Sequence, residues 1–280
     1  MTAVSETRDT SRSALYRRRQ GNRPTRGRYQ RGEDEVLLPV IKEITAFRPT
    51  YGYRRITILL NRRRAQRGMP PVNHKRVYRI MKMNDLLLAR HTGRPVRQHD
   101  GEIIPLTPNT RGCSDVFAIL CWNQEIVWVA FVMDCCDREV MSYIATTAGI
   151  SGAMVRDLMT EAIENRFGLV ERVPHPIEWL SDNGSAYTAH QTRAFALSAG
   201  LVPCTTPVQS PESNGMAEAF IKTFKRDDVY LHRLDSAPIV LEQLPGWFED
   251  YNEVHPHKGL KMRSPREYRK CLNGTARCPS

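Results

Sequence analysis

The residue types best suited to chemistry stand in two acidic motifs, Ser181-Asp182-Asn183-Gly184-Ser185 and Pro211-Glu212-Ser213-Asn214-Gly215-Met216-Ala217-Glu218. Thirty-five residues separate Asp182 from Glu218. A carboxylate at the end of an apolar strand and another inside a following helix can meet a third on an earlier strand. Such a trio of hard oxygen donors holds divalent cations that activate phosphodiester bonds. The earlier strand supplies Asp115. Any one of these acids alone reads as a turn or cap residue; their order and spacing set them apart.

Positioning three such groups requires a particular run of elements. Asp115–Cys121, Glu125–Asp134 and Arg138–Thr146 are rich in Val, Ile, Phe and Trp and are separated by short turns, which predicts three consecutive antiparallel strands. A helix is expected over Ser151–Phe167, a short strand Ile177–Leu180 delivers Asp182, and a helix from Thr188 to Ala199 stops at Gly200. Strand Leu201–Thr205 then leads through a Pro/Ser-rich loop into the helix that bears Glu218. Asp134, Asp137 and Glu139 belong to a strand turn in this reading, with Arg138 as their local ion partner. His255-Pro256-His257 has no second half nearby to complete a metal site, so a structural or DNA-contacting role is expected. Trp122, Trp128, Trp179 and Trp247 read as core or interface aromatics.

The front of the chain differs in kind. Residues 1–110 carry 24 Lys/Arg against 9 Asp/Glu, net +15, while residues 111–280 carry 17 against 21, net −4. So basic a front section suits a polyanion, and nucleic acid fits better than a membrane surface because neutralised phosphates release counterions. Nine arginines between residues 8 and 31, with little apolar matter, predict a flexible basic arm. Helical spacing of Val36, Leu37, Val40, Ile41, Ile44 and Phe47 predicts a helix from Glu33 to Phe47, with Pro39 tolerable only in its first turn. A second helix carries Ile56, Leu59 and Leu60 and is ended by Gly68. Asn73 caps a third, from about His74 to Leu88, that buries Val77, Ile80 and Met81 and presents Lys75, Arg76, Arg79 and Lys82. Three short helices with a basic last one match the helix-turn-helix plan, in which that helix enters the major groove of duplex DNA.

Seven cysteines with no Cys-x-x-Cys pair argue against a zinc or redox motif and for reduced thiols, and adjacent Cys135 and Cys136 read as small buried hydrophobes. No apolar run approaches the roughly 18 residues needed to cross a bilayer, and no hydrophobic signal region is evident. A cytosolic protein in contact with DNA is expected.

The motifs Cys113-Ser114-Asp115, Asp134-Cys135-Cys136-Asp137-Arg138-Glu139, Glu178-Trp179-Leu180-Ser181-Asp182-Asn183-Gly184-Ser185, Ser210-Pro211-Glu212-Ser213-Asn214-Gly215, Tyr251-Asn252 with His255-Pro256-His257, and Ser264-Pro265-Arg266-Glu267-Tyr268 follow one another in order. From about residue 33 to 270 this order resembles the orfB-type DDE transposases of the insertion-sequence-three family, within it the insertion-sequence-two branch, with a catalytic core similar to retroviral integrases. The resemblance implies an α/β ribonuclease H-like core, with a mixed sheet and flanking helices, behind a small all-α helix-turn-helix-type domain. The domains expected are a basic arm at 1–32, a DNA-binding domain at 33–90, a linker at 91–111, a catalytic core at 112–270 and a tail at 271–280.

The resemblance further implies that Asp115, Asp182 and Glu218 are both the catalytic triad and the ligands of two Mg²⁺ ions, with Mn²⁺ as a substitute. Lys225, seven residues after Glu218 on the same helical face, would lie beside the DNA end, with Lys222 one turn nearer. The implied activity is cleavage of element ends and strand transfer into a second duplex. The runner-up is a DNA-occupying regulator whose core is catalytically silent. Implied partners are double-stranded DNA, other copies of the chain assembled on it, and an upstream-frame product or fusion; the implied location is the bacterial cytoplasm at the nucleoid, with no membrane. Two departures stand out: Gly112 where the family commonly has tryptophan, and Pro39 and Pro245-Gly246 interrupting segments that relatives keep helical.

Overall fold

The computed structural model describes residues 32–89, 105–205 and 215–274. The expected basic arm up to residue 31, the linker stretch 91–104, the loop 206–214 before Glu218 and the tail from 275 lie outside the described residues.

The front section folds as three helices, α1 (Asp34–Phe47), α2 (Tyr53–Gln66) and α3 (His74–Met83). Their apolar stripes meet in one small core of Leu37, Ile41, Ile44, Tyr51, Ile56, Leu60, Val77, Ile80 and Met81. α1 runs through Pro39, five residues past its start and so beyond the first turn. The lost backbone bond is outweighed by burial of Leu37, Ile41 and Ile44 on either side. Asn73 caps α3 as expected, accepting from Lys75 N at 2.8 Å. α3 stops at Met83, earlier than its apolar pattern suggests, because Asn84 ends the turn and Asp85 takes a positive φ of 54°. Leu87 is half-buried and Leu88 stays exposed.

The larger section is built on a five-stranded sheet in the order β3-β2-β1-β4-β5, with β1 (Arg111–Leu120), β2 (Ile126–Asp134), β3 (Val140–Thr146), β4 (Ile177–Ser181) and β5 (Leu201–Thr205). β1, β2 and β3 pair antiparallel, while β4 lies parallel to β1 and β5 parallel to β4. Strand alternation sorts side chains onto two faces. Cys113, Phe117, Ile119, Val127, Val129, Phe131 and Met133 point to one, where α7 (Gly215–Asp227) and α8 (Ala237–Glu253) cover them with Phe220, Phe224, Leu244, Trp247, Phe248 and Tyr251. Ala130, Val132, Ile177 and Trp179 point to the other, covered by α4 (Gly152–Phe167) and α6 (His190–Ser198). Between β4 and α6 lies the single turn α5 (Ser185–Thr188), and the helix expected from Thr188 to Ala199 forms as α6, starting at His190. α8 also runs straight through Pro245-Gly246, held by Leu244, Trp247, Phe248 and Tyr251 against the sheet. α9 (Pro265–Leu272) closes the chain with a full capping box between Ser264 and Glu267.

Gly112 is buried between Asp134 of β2 and Trp179 of β4 in the strand register. A Cβ there would stand 3.3 Å from Val132 Cγ2 and 3.4 Å from Met141 Cε, so neighbouring side chains already occupy the space. The strand packs with no large residue at this position, and the indole on this side of the sheet belongs to Trp179.

Asp134, Asp137 and Glu139 sit in the β2–β3 turn, but their partner is not Arg138. Arg166, arriving from the end of α4, reaches Asp137 Oδ2 at 2.7 Å and Glu139 Oε2 at 2.8 Å. Arg266 and Arg269 of α9 also hold Glu139. The Arg138 guanidinium instead lies over Gly259, where a Cβ would come within 2.6 Å of Nη2. Cys135 and Cys136 are buried, as expected of small apolar side chains.

The two sections are joined by buried polar contacts. Arg48 pairs with Asp250 and approaches Asp228 at 3.8 Å. Arg55 reaches Asp227 Oδ2 at 3.1 Å, and Arg62 binds Glu267 and donates to Val254 O at 2.6 Å. At the centre, Tyr51 Oη and His255 Nδ1 are 2.8 Å apart, with Tyr251 stacked on His255 and His257 tilted against it. Burial drives both histidine pKa values down, His257 to about 3, so these rings are neutral packing elements of the junction.

Candidate active site

Sheet geometry brings two of the three acids together. The parallel register pairs Arg111 with Glu178 and Cys113 with Leu180. Two residues further along each strand stand Asp115 and Asp182, on neighbouring strands that run about 4.8 Å apart. Alternation aims Asp115 to the same side as Cys113 and Phe117, the side that α7 covers. Glu218 lies in the first turn of α7, which packs on β1 through Ala217, Phe220 and Phe224. Asp115 and Glu218 therefore share the α7 face, and Asp182 stands one residue past the end of neighbouring β4.

Electrostatics reports the same arrangement. The Asp115 carboxyl is pushed up to about 6, first by burial and then by the negative charges of Asp182 and Glu218, against the pull of a hydrogen bond from Val116 N to Asp115 Oδ1 at 2.7 Å. Tyr187, whose hydroxyl lies 2.7 Å from Ser114 Oγ beneath the site, is also pushed up by burial and feels both Asp115 and Asp182. Asp182 and Glu218 are exposed, and Asp115 is half-buried. Among the described residues no Lys or Arg forms an ion pair with any of the three.

Asp182 is shaped by the turn after β4. Its Oδ1 accepts from Gly184 N at 3.0 Å. Gly184 has φ −58°, which any residue adopts, so its use is spatial: a Cβ there would stand 3.0 Å from Asp182 Oδ1.

Three carboxylates free of internal cations among the described residues offer an all-oxygen donor set that suits Mg²⁺ or Mn²⁺ rather than zinc. Among the described residues no three His, Cys, Asp or Glu side chains stand close enough together to hold an ion by themselves. The donor chemistry fits a hard cation.

Lys225, two turns along α7, is half-buried with Nζ 5.5 Å from the Phe117 ring centroid, and burial lowers its pKa. Phe117 is two residues from Asp115 on the same strand face, and burial is the cause of the Lys225 shift. Lys222 is exposed on the same helix. In the helical section, Lys75 and Lys82 are exposed, whereas Asp34 holds Arg76 Nε at 2.6 Å and Arg79 Nη2 at 2.7 Å, and Glu33 adds a contact to Arg76 at 3.0 Å. Sequence periodicity placed all four cations on exposed arcs of α3 and gave no sign of the acids at the start of α1 that meet two of them. Of the four tryptophans, Trp179 and Trp247 are buried, while Trp122 and Trp128 flank the β1–β2 hairpin and are exposed.

Comparison with known proteins gives a consistent set of likenesses. Residues 105–211 match an integrase core domain family, residues 200–265 a second integrase core family, and residues 32–94 an HTH-like domain. Two Escherichia coli proteins, the transposase InsD for insertion element IS2A/D/F/H/I/K and the transposase InsD for insertion element IS2-9, are each 46% identical over 245 residues. These alignments cover 86% of this chain and 81% and 80% of the respective relatives. Among solved structures, a simian T-cell lymphotropic virus intasome in complex with PP2A regulatory subunit B56 gamma aligns at TM-score 0.47 and 15% identity, over 86% of this chain and 76% of that one. The catalytic domain of Mos1 mariner transposase aligns at TM-score 0.43 and 17% identity, over 61% and 85%. Among the described residues no helix is long and apolar enough to cross a membrane.

Proposed function

This chain belongs to the insertion-element transposases of the IS2 InsD kind, an orfB-type lineage with an integrase core behind an HTH-like domain, and from that membership we propose how it acts on DNA. It is a DNA transposase that cleaves the ends of its element and joins them to a second duplex, with Asp115, Asp182 and Glu218 as ligands of two Mg²⁺ ions that Mn²⁺ can replace. The observation that supports this reading is the placement of Asp115 on central β1, Asp182 directly after neighbouring β4 and Glu218 in the first turn of α7, which packs on β1; the Asp115 carboxyl is raised first by burial and further by Asp182 and Glu218.

When bound, the cations would activate the attacking oxygen and stabilise the leaving one. The protein's own contribution is positional. β1 holds Asp115 at the centre of the sheet, the Gly184 turn orients Asp182 by one backbone hydrogen bond, and α7 carries Glu218 in its first turn, so these three residues would be the ones to hold the ions. Lys225 and Lys222 on that helix lie on the side where a DNA backbone would approach, and Lys225 keeps its ammonium over the Phe117 ring in a part-desolvated place where a phosphate contact is strengthened. Lys75 and Lys82 of α3 add phosphate contacts from the helical domain. Action as an assembly of copies on double-stranded DNA, together with an upstream-frame partner or fusion, and a place at the nucleoid, belong to this reading.

The experiment is Mg²⁺-dependent cleavage of a labelled element-end duplex by wild type and by Glu218→Gln, with the upstream partner supplied. Loss of cleavage with retained duplex binding is expected. Equal cleavage by both proteins would remove Glu218 from the site.

A further inference from the structure

Two of the four cations expected to read DNA from α3 are engaged elsewhere. On a helical wheel at 100° per residue, Arg76 and Arg79 lie on one flank of α3, where Asp34 of α1 meets both. His74, Lys75, Tyr78 and Lys82 form a separate stripe, one turn apart along the axis, between that flank and the buried Val77, Ile80 and Met81. This stripe continues onto α2. The Tyr53 ring stacks on His74 at 6.2 Å and 29° and meets Tyr78 edge-on at 5.0 Å, while Arg54 Cζ lies 5.5 Å from the Tyr53 centroid and its Nε donates to Tyr53 Oη at 3.2 Å. Tyr78 remains 40% exposed, although the domain has a core that could have taken an aromatic ring.

The direction of this surface is fixed by the rest of the molecule. Arg55 and Arg62 of α2 reach into the larger section, and Tyr53 stands roughly 200° around the helix from Arg55 and about 180° from Arg62, so the aromatic cluster faces away from the junction. Aromatic rings framed by unneutralised Lys and Arg match the chemistry of a duplex groove: cations contact phosphates and carry no sequence information, whereas ring edges and faces meet base edges and thymine methyl groups.

We propose that Tyr53, His74 and Tyr78 are the base-reading face of the helical domain, with Arg54, Lys75 and Lys82 on the flanking phosphates, and that Arg76 and Arg79 serve to clamp α1 to α3. This rests on the transposase reading above and names the residues that give it end specificity. The partner is double-stranded DNA bearing the element's own terminal sequence.

The test uses the full chain and two labelled duplexes: the terminal DNA of the element that encodes it, and a scrambled duplex of the same length and composition. Affinity is measured over a range of salt concentrations. Tyr78→Ala is expected to cut the preference for the terminal duplex by about tenfold, the scale of one lost base contact, with an unchanged melting temperature. Tyr78→Phe, which keeps the ring, should retain most of the preference. Lys75→Ala should weaken both duplexes equally and reduce the salt slope by about one, as a lost phosphate contact does. If Tyr78→Ala keeps the wild-type preference, the aromatic face does not read bases and the proposal falls. If wild type itself binds both duplexes equally, the end-binding part of the transposase reading falls, and this assignment with it.

Discussion

Two groups of three acids sit on the same sheet and have opposite fates. Asp134, Asp137 and Glu139, in the β2–β3 turn, are buried and answered by Arg166, Arg266 and Arg269, and Asp134 also accepts backbone N–H groups from Asn109, Cys136 and Asp137. Asp115, Asp182 and Glu218, on β1, just after β4 and on α7, are left open, with no Lys or Arg paired to them among the described residues. A carboxylate group closed by guanidinium is a brace. One left without a guanidinium partner keeps its charge toward solvent, and the Asp115 carboxyl is raised first by its burial and further by Asp182 and Glu218.

The comparison is broken most severely by removing charge from the open group. Asp115→Asn should abolish strand cleavage, a loss of at least about a thousandfold or on the order of 4 kcal/mol in the barrier, while far-ultraviolet circular dichroism stays as in wild type. Retained cleavage would mean that the open group is not the reactive one. In the closed group the same loss of one partner should act on folding: Arg166→Ala leaves buried carboxylates unpaired and should cost about 3–5 kcal/mol in urea unfolding. A variant as stable as wild type would show that Arg266 and Arg269 suffice.

Acidity sharpens the contrast further. The folded Asp115 carboxyl, at about 6, holds a proton that the unfolded chain has already released above about pH 4. Its ionisation therefore destabilises the fold progressively as pH rises from about 4 through about 6. Without metal, Asp115→Asn should melt close to wild type at pH 4 and above it beyond pH 6, and added MgCl₂ at the higher pH should raise the melting temperature of wild type alone. A pH-independent gap between the two proteins would contradict the assigned environment. The smallest effect is expected at Lys225, where alanine substitution removes one part-desolvated cation: end-duplex affinity should drop by about three- to tenfold with the melting temperature nearly unchanged.

Local signals made the open group legible in the sequence, and distance hid the closed one. Asp115, Asp182 and Glu218 stand out by their order and spacing within the motifs that carry the resemblance, and Leu201–Thr205 forms the strand its pattern predicts. Arg166 lies 27 residues beyond Glu139, so the nearer Arg138 looked like the partner until α4 had folded back over β3. Proline misled twice. Pro39 and Pro245 read as breaks, but each removes one backbone bond from a helix whose buried side chains contribute several times more. The exposure of Tyr78 and the capture of Arg76 by Asp34 depend on how α1 leans on α3, which no window along the chain contains.

The buried junction around Tyr51 and His255 has a consequence for how long a stretch of DNA this protein can measure. Arg55 is fastened to Asp227, the last residue of the helix that carries Glu218 in its first turn, and Arg48 to Asp228 just beyond it and to Asp250 of α8. Ion pairs desolvated to this degree hold one docking geometry and penalise every other. On the reading proposed above, the three-helix head and the carboxylate edge would act as the two jaws of a caliper whose opening is set by a handful of side chains. The number of base pairs between the sequence that is gripped and the bond that is cut is then a property of the protein, and inserting even half a helical turn of DNA between them would carry the bond out of reach.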